Sequence, residues 1–458
     1  MKTLFRGGTV VTGHGTRRAD VLLDGETVAA VGRDLPAEGA RVVDCAGKLL
    51  LPGFIDAHTH FDLDVCNTTT ADDFASGSRA ALRGGTTTVV DFACPNKGET
   101  LHQGLRLWHE KADGKCACDY GFHMTIDDWN PTIASEIDDM YDEGITSFKM
   151  YMTYPAMMIG DEAIYHALRK LREKGGISGF HCENSGVIDA LVSERKAAGD
   201  NGVWCHPRVR PDYLEAEAVG RLMRIAQAAD VPVIVVHTTN AQALAEIRAA
   251  RRRGQKVYVE TCPQYLCLDD SVYDQEDWLE SAKYVCSPPI RSAADRDALW
   301  GAVCDGRIDI LSTDHCSFNF KGQKELGLGN FSRIPNGLPG VEFRPSVVWT
   351  AGVAAGRITA EDMCRLMCET PAKAFGLWGR KGALEPGFDA DIVVWDPTYR
   401  GVIDPAAQET ACDYSPWEGM EIAGRAAAVY LRGELSARDG RCVRKGGGVY
   451  LHRGAPIL

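Results

Sequence analysis

The segment FIDAHTHFD places two histidines, His58 and His60, at the end of a short apolar run. That run, from Leu49 to Ile55 and interrupted by Pro52-Gly53, reads as a buried strand. Residues two apart in an extended chain face the same side. Both imidazoles are therefore aimed at one point, as a shared metal ion requires. A pair of this kind also occurs in ordinary polar loops, so the rest of the chain has to decide.

Other candidates recur where apolar runs end. Lys149 lies within SFKMYM, His181 closes GFH, His237 closes VIVVH, and Asp314 closes ILSTD. Singly, each has a bland reading: an exposed histidine, a lysine snorkelling to solvent, an aspartate capping a turn. Those readings would have to hold independently at five strand ends. Together the residues offer four imidazoles and a carboxylate, a donor set suited to zinc or a similar divalent ion. With the lysine there are six groups, too many for one tetrahedral ion but suited to two ions about 3.5–4 Å apart. An ammonium group has no lone pair to give. A lysine kept neutral by burial and nearby cations can instead add carbon dioxide. The resulting carbamate offers two oxygens, enough to bridge both ions.

The elements that must position these groups alternate regularly between residues 52 and about 375. Strands are predicted at Phe54–Thr59, Thr86–Phe92, Tyr120–Ile126, Thr146–Met152, Ile177–Cys182, Val231–Thr238, Lys256–Thr261 and Ile308–Asp314. Amphipathic stretches such as Asp73–Arg83, Asp161–Lys174, Leu214–Ala229 and Ala241–Arg253 lie between them. Strands alternating with helices pair in parallel through crossovers. Eight such units predict an α/β fold, a closed (β/α)8 TIM-like barrel whose active site lies at the C-terminal ends of its strands.

The two ends of the chain read as short strands and turns. The expected organisation is a barrel over residues 52–375 and a small β-sandwich from residues 1–51 plus 376–458, which include the C-terminal tail. That tail, KGGGVYLHRGAPIL, shows no core of its own and is expected to pack on a neighbouring subunit.

Composition narrows the function classes. The chain has 458 residues, 45% hydrophobic and 25% charged, ordinary values for a globular protein. A net charge of −13 disfavours nucleic acid as a partner. No apolar run approaches the roughly 18–20 residues of a membrane helix, and the N-terminus lacks a signal-peptide pattern. The sixteen cysteines are expected to be reduced and mostly buried, in a cytoplasmic protein.

His58-x-His60, Lys149, His181, His237 and Asp314, in this order on these strands, resemble the binuclear amidohydrolases. SFKMYMTY, ETCPQYL, SPPIR, TDHC, NGLPGVE and DYSPWEG narrow the resemblance to the dihydropyrimidinase/hydantoinase family, nearest in look to bacterial D-phenylhydantoinases. The resemblance covers essentially the whole chain. It implies that His58 and His60 bind one ion and His181 and His237 the other. Lys149, as N6-carboxylysine, would bridge them, and Asp314 would ligate the first ion and carry the proton. The ions would be zinc, or manganese or cobalt. Tyr154 would donate to the substrate carbonyl, while Ser287 and Asn336 would hold the ring amide mainly through backbone groups. The implied reaction is opening of a cyclic ureide, a hydantoin or 5,6-dihydropyrimidine, to an N-carbamoyl amino acid by a metal-bridging hydroxide. A homotetramer is implied as well.

Allantoinases and dihydroorotases share the metal core. Dihydroorotases typically carry an arginine two residues after the second histidine, where this chain has Asp62, which favours a neutral ring. The neuronal dihydropyrimidinase-related scaffolds keep the fold but have lost ligands, whereas every ligand position is filled here. The loops after strands one and four, with Leu63, Asp64, Val65, Tyr151, Met157 and Met158, should meet the ring substituent.

Overall fold

A computed structural model describes residues 2–457. Eight parallel strands run in chain order: β1 (Phe54–Thr59), β2 (Thr86–Ala93), β3 (Asp119–Thr125), β4 (Ser147–Tyr151), β5 (Ile177–His181), β6 (Val233–Val235), β7 (Val257–Thr261) and β8 (Ile310–Leu311). Each pairs with the next. The ring closes where His60 N donates to the His315 carbonyl (2.8 Å) and His315 N to the His58 carbonyl (3.3 Å). β1 to β5 are buried along their whole length, as expected of parallel strands covered on both faces.

The crossover helices form where the sequence places start and stop signals. Phe74–Gly84 is capped by Asp73, whose side chain accepts from Ser76 N, and ends at Gly85 with φ 102°. Only glycine takes that conformation without strain, and a β-carbon there would also press on the Phe54 ring. Asp161–Lys174 has the predicted bounds, with acidic residues in its first turn and basic ones in its last, complementing the helix dipole.

Two predicted strands are much shorter than expected. Val231–Thr238 contracts to β6 and Ile308–Asp314 to β8. Beyond those strands, His237 and Asp314 adopt φ 36° and 53°, values that leave the pleat and re-aim both side chains.

A second sheet of nine strands draws on both termini. Its junction is the antiparallel pair Leu49–Pro52 and Ile392–Val402, with Pro52 opposite Ile392 and Leu49 opposite Trp395. Phe5 and Tyr430 meet edge to face at 4.8 Å although two strands separate theirs in the sheet order. On a flat sheet three strand spacings come to about 14 Å. The expected sandwich is therefore one continuous sheet curled over a shared core that includes Val10, Val21, Leu50, Ile392 and Val394.

The tail finds packing partners within its own chain. Tyr120 N donates to the Val449 carbonyl (3.1 Å) and Leu451 N to the Tyr120 carbonyl (2.7 Å), adding the tail at the N-terminal end of β3. Leu451 is fully buried, and the buried Arg453 guanidinium donates to Ser147 Oγ (2.7 Å) and to the Phe375 and Phe122 carbonyls. β-Carbons at Gly144, Gly376 or Gly448 would collide with this arrangement.

Candidate active site

The strand ends bring the predicted groups to one mouth of the barrel. The rings of His58 and His60 lie 5.3 Å apart, those of His58 and His237 5.5 Å, and those of His181 and His237 4.4 Å. Asp314 Oδ1 sits 3.1 Å from His58 Nε2 and 3.2 Å from His60 Nε2. His58, His237 and Asp314 offer ligand atoms all within 4.8 Å of one another. Lys149, 1% exposed, places Nζ 3.3 Å from His58 Nε2 and against the faces of Phe92 and Tyr151.

Carboxylates behind the imidazoles fix which nitrogen faces inward. Glu260 Oε1 accepts from His58 Nδ1 at 2.7 Å and from His237 N at 3.1 Å, leaving His58 Nε2 for the centre. Glu183 Oε2 lies 2.7 Å from His181 Nε2, leaving Nδ1 free. The Arg210 guanidinium donates to the same Glu183 oxygen at 2.6 Å and lies 5.5 Å from the Tyr154 ring centre. Burial alone would raise the Glu183 carboxyl; Arg210 and His181 outweigh it and hold the group down at about 2. Carboxylate–imidazole pairs of this kind orient histidines at metal sites. Sequence reading passed over Glu260 and Glu183, although both had a visible signal. Glu183 follows His181 by two residues, and Glu260 stands one residue before the end of an apolar strand.

The donor set fits cations. The buried Nδ1 atoms of His60 and His237 have no hydrogen-bond partner. Burial pushes the His60 imidazole down to about 4, so the ring is neutral and able to ligate near neutrality. Burial likewise holds the Lys149 amine below its ordinary range, against the pull of Asp314 and Glu260. That is the state from which a lysine can be carboxylated.

The remaining predicted residues converge on the same space. A cavity of about 470 Å³ opens above the cluster and is lined by Tyr154, Ser287 and Asn336. Tyr154 holds φ 67° and sets its ring edge against His181, centroids 5.1 Å apart. Three site residues, Tyr154, His237 and Asp314, thus share left-handed backbone, which costs each of them about 1–3 kcal/mol. Leu63, Asp64, Val65, Tyr151 and Met157 line the cavity as expected, and Met158 lies outside its wall. Unforeseen contributors come from the segment after β2 and from the helix Leu101–Ala112, notably Pro95, Lys97, Leu107 and Trp108.

A closed parallel barrel carrying four imidazoles and a carboxylate at the C-terminal ends of its strands defines a hydrolase of the metal-dependent barrel class. The chain belongs to the amidohydrolase family, which it matches over residues 49–435. It is 44% identical to a D-hydantoinase of Streptomyces coelicolor, over 99% of this chain and 98% of that one. It is 42% identical to a D-hydantoinase of Geobacillus stearothermophilus, over 99% and 97% of the two chains. The solved dihydropyrimidinase of Brevibacillus agri superposes with a TM-score of 0.98 at 42% identity, covering 100% of both chains. These findings make the chain a cyclic amidohydrolase. Among its described residues, no helix is long and apolar enough to cross a membrane.

His181→Ala and His237→Ala are each expected to lose bound metal in elemental analysis. Full metal content in both variants would remove the two residues from the ligand set.

Proposed function

We propose that this enzyme opens 5-substituted hydantoins to N-carbamoyl amino acids and takes a bulky apolar substituent in preference to a bare ring. The observation that carries this reading is the cavity. Its volume of about 470 Å³ lies well within the range of ligand pockets, and an unsubstituted five- or six-membered ureide fills only a small part of it. Leu63, Val65, Leu107, Trp108, Tyr151 and Met157 make most of the remaining wall apolar. The hydantoinase relatives support the same class of substrate.

His58, His60, His181, His237, Asp314 and N6-carboxylated Lys149 would hold two divalent cations, zinc in the native enzyme. When bound, the cations supply a nucleophile from water near neutral pH. Backbone groups at Ser287 and Asn336 hold the ring amide with its carbonyl toward the cluster. Burial holds the Tyr154 phenol above its ordinary range, so its O–H stays a donor and stabilises the developing oxyanion. Asp314 takes the proton of the attacking water and returns it to the leaving ring nitrogen. The enzyme works as a homotetramer in the cytoplasm. All sixteen cysteines are free, which supports a reducing compartment. Exposed apolar side chains such as Leu328, Val402 and Val443 are what a subunit interface would cover.

The discriminating experiment compares kcat/KM for 5-phenylhydantoin with that for dihydrouracil. Preference for the aryl hydantoin is expected; tenfold preference for dihydrouracil would make the enzyme a dihydropyrimidinase. Tyr154→Phe should keep its metal and lose about 10²–10³ in turnover, the usual cost of one oxyanion donor. Parental turnover in that variant would reduce Tyr154 to a packing role.

A further inference from the structure

Lys324 is fully buried, has no carboxylate partner among the described residues and takes no part in the chemistry above. Its Nζ donates three hydrogen bonds, to the carbonyls of Val285 (2.7 Å), Pro335 (2.8 Å) and Gly337 (2.8 Å). All three donors of the ammonium group are thereby used. The acceptors fall on two segments far apart in sequence: Val285 lies two residues before Ser287, while Pro335 and Gly337 flank Asn336. A further bond joins the segments directly, from Gly337 N to the Val285 carbonyl at 3.0 Å. The neighbouring Gln323 reaches the short hairpin Asp64–Thr69, whose Asp64 and Val65 line the cavity, donating to Thr68 Oγ1 (2.8 Å) and the Thr69 carbonyl (2.7 Å).

An uncompensated buried cation is costly unless its hydrogen bonds are satisfied. Burial already draws the Lys324 amine down to about 8. A group kept at that expense, gripping both edges of one binding slot, has a positional task. We propose that Lys324 is the positioning residue that sets the spacing between the Ser287 and Asn336 segments, and through that spacing the affinity for the cyclic ureide. The inference rests on the reading above that those segments hold the ring amide. Weakening one or two of the hydrogen bonds that hold a ligand lowers its affinity by about tenfold to a hundredfold.

The test is Lys324→Met, which keeps an unbranched side chain one atom shorter than lysine and removes every donor. With 5-phenylhydantoin, KM should rise about tenfold to a hundredfold while kcat stays within a few-fold and elemental analysis shows full metal. Hydrogen exchange should quicken selectively at the amides of residues 285–287 and 336–338. A merely structural role would lower the folded fraction and leave the KM of the surviving enzyme unchanged; that result overturns the proposal. If the methionine variant does not fold, Lys324→Arg, which keeps the charge but alters the geometry, should show a smaller rise in KM. An unchanged KM in the arginine variant, with unchanged exchange, also overturns it. A parent enzyme inactive on every cyclic ureide would sink the substrate reading instead, and exchange at the two segments would still decide whether Lys324 holds them together.

Discussion

Asp314→Asn should lower kcat/KM for a cyclic ureide by about 10²–10⁴, the usual worth of a positioned proton carrier. The loss follows from geometry and chemistry together. Asp314 Oδ1 lies within 3.2 Å of two imidazole nitrogens, and the side chain is 16% exposed, open to the cavity in which the substrate would lie. Asparagine preserves the shape and one ligating oxygen but cannot take up a proton. Metal analysis of the same sample separates the two duties. A variant with full metal and low activity identifies the proton step, and one with both lost identifies a ligand. Parental activity with full metal would remove Asp314 from the mechanism.

The barrel was legible because its strands are short, largely apolar and buried runs, several of which end in a polar residue unlike the run before it. Burial on both faces produces that signature, and helix boundaries such as Asp161–Lys174 follow from charge at the two ends. The candidate ligand positions stood out for the same reason: polar groups at the ends of buried strands are conspicuous. What could not be read was the pairing behind them. Nothing in ETCPQYL or GFHCEN says that Glu260 reaches His58, 202 residues away, or that Arg210 joins Glu183 to Tyr154. Left-handed backbone at Tyr154, His237 and Asp314 was hidden too, because none of these residue types announces it as glycine does. Lys324, within the polar run KGQKELG, looks like solvated surface, yet it is fully buried.

The tail is the sharpest case. Its partners are backbone carbonyls and glycines spread from Cys116 to Gly376, which leave no mark in composition. Truncation after Gly446 should therefore destabilise the barrel itself rather than only release subunits. Removing Leu451 from full burial costs about 2–5 kcal/mol, counting the space left behind. Losing Arg453 strips charged donors from the Phe122 and Phe375 carbonyls and from Ser147 Oγ. A hydrogen bond to a charged group is worth about 1.5–3 kcal/mol. Together the loss exceeds about 5 kcal/mol, comparable with the whole stability of many domains. The damage also lies close beneath the histidine cluster. Ser147 Oγ is 2.6 Å from His123 Nδ1, and His123 Nε2 is 3.0 Å from the carbonyl of Ala57, the residue before His58. Denaturant unfolding should show the truncated chain largely unfolded in buffer, and Arg453→Met alone should cost about 3 kcal/mol. A truncated chain that keeps the parent's unfolding midpoint and kcat while its mass in light scattering falls would return the tail to the role of a subunit interface.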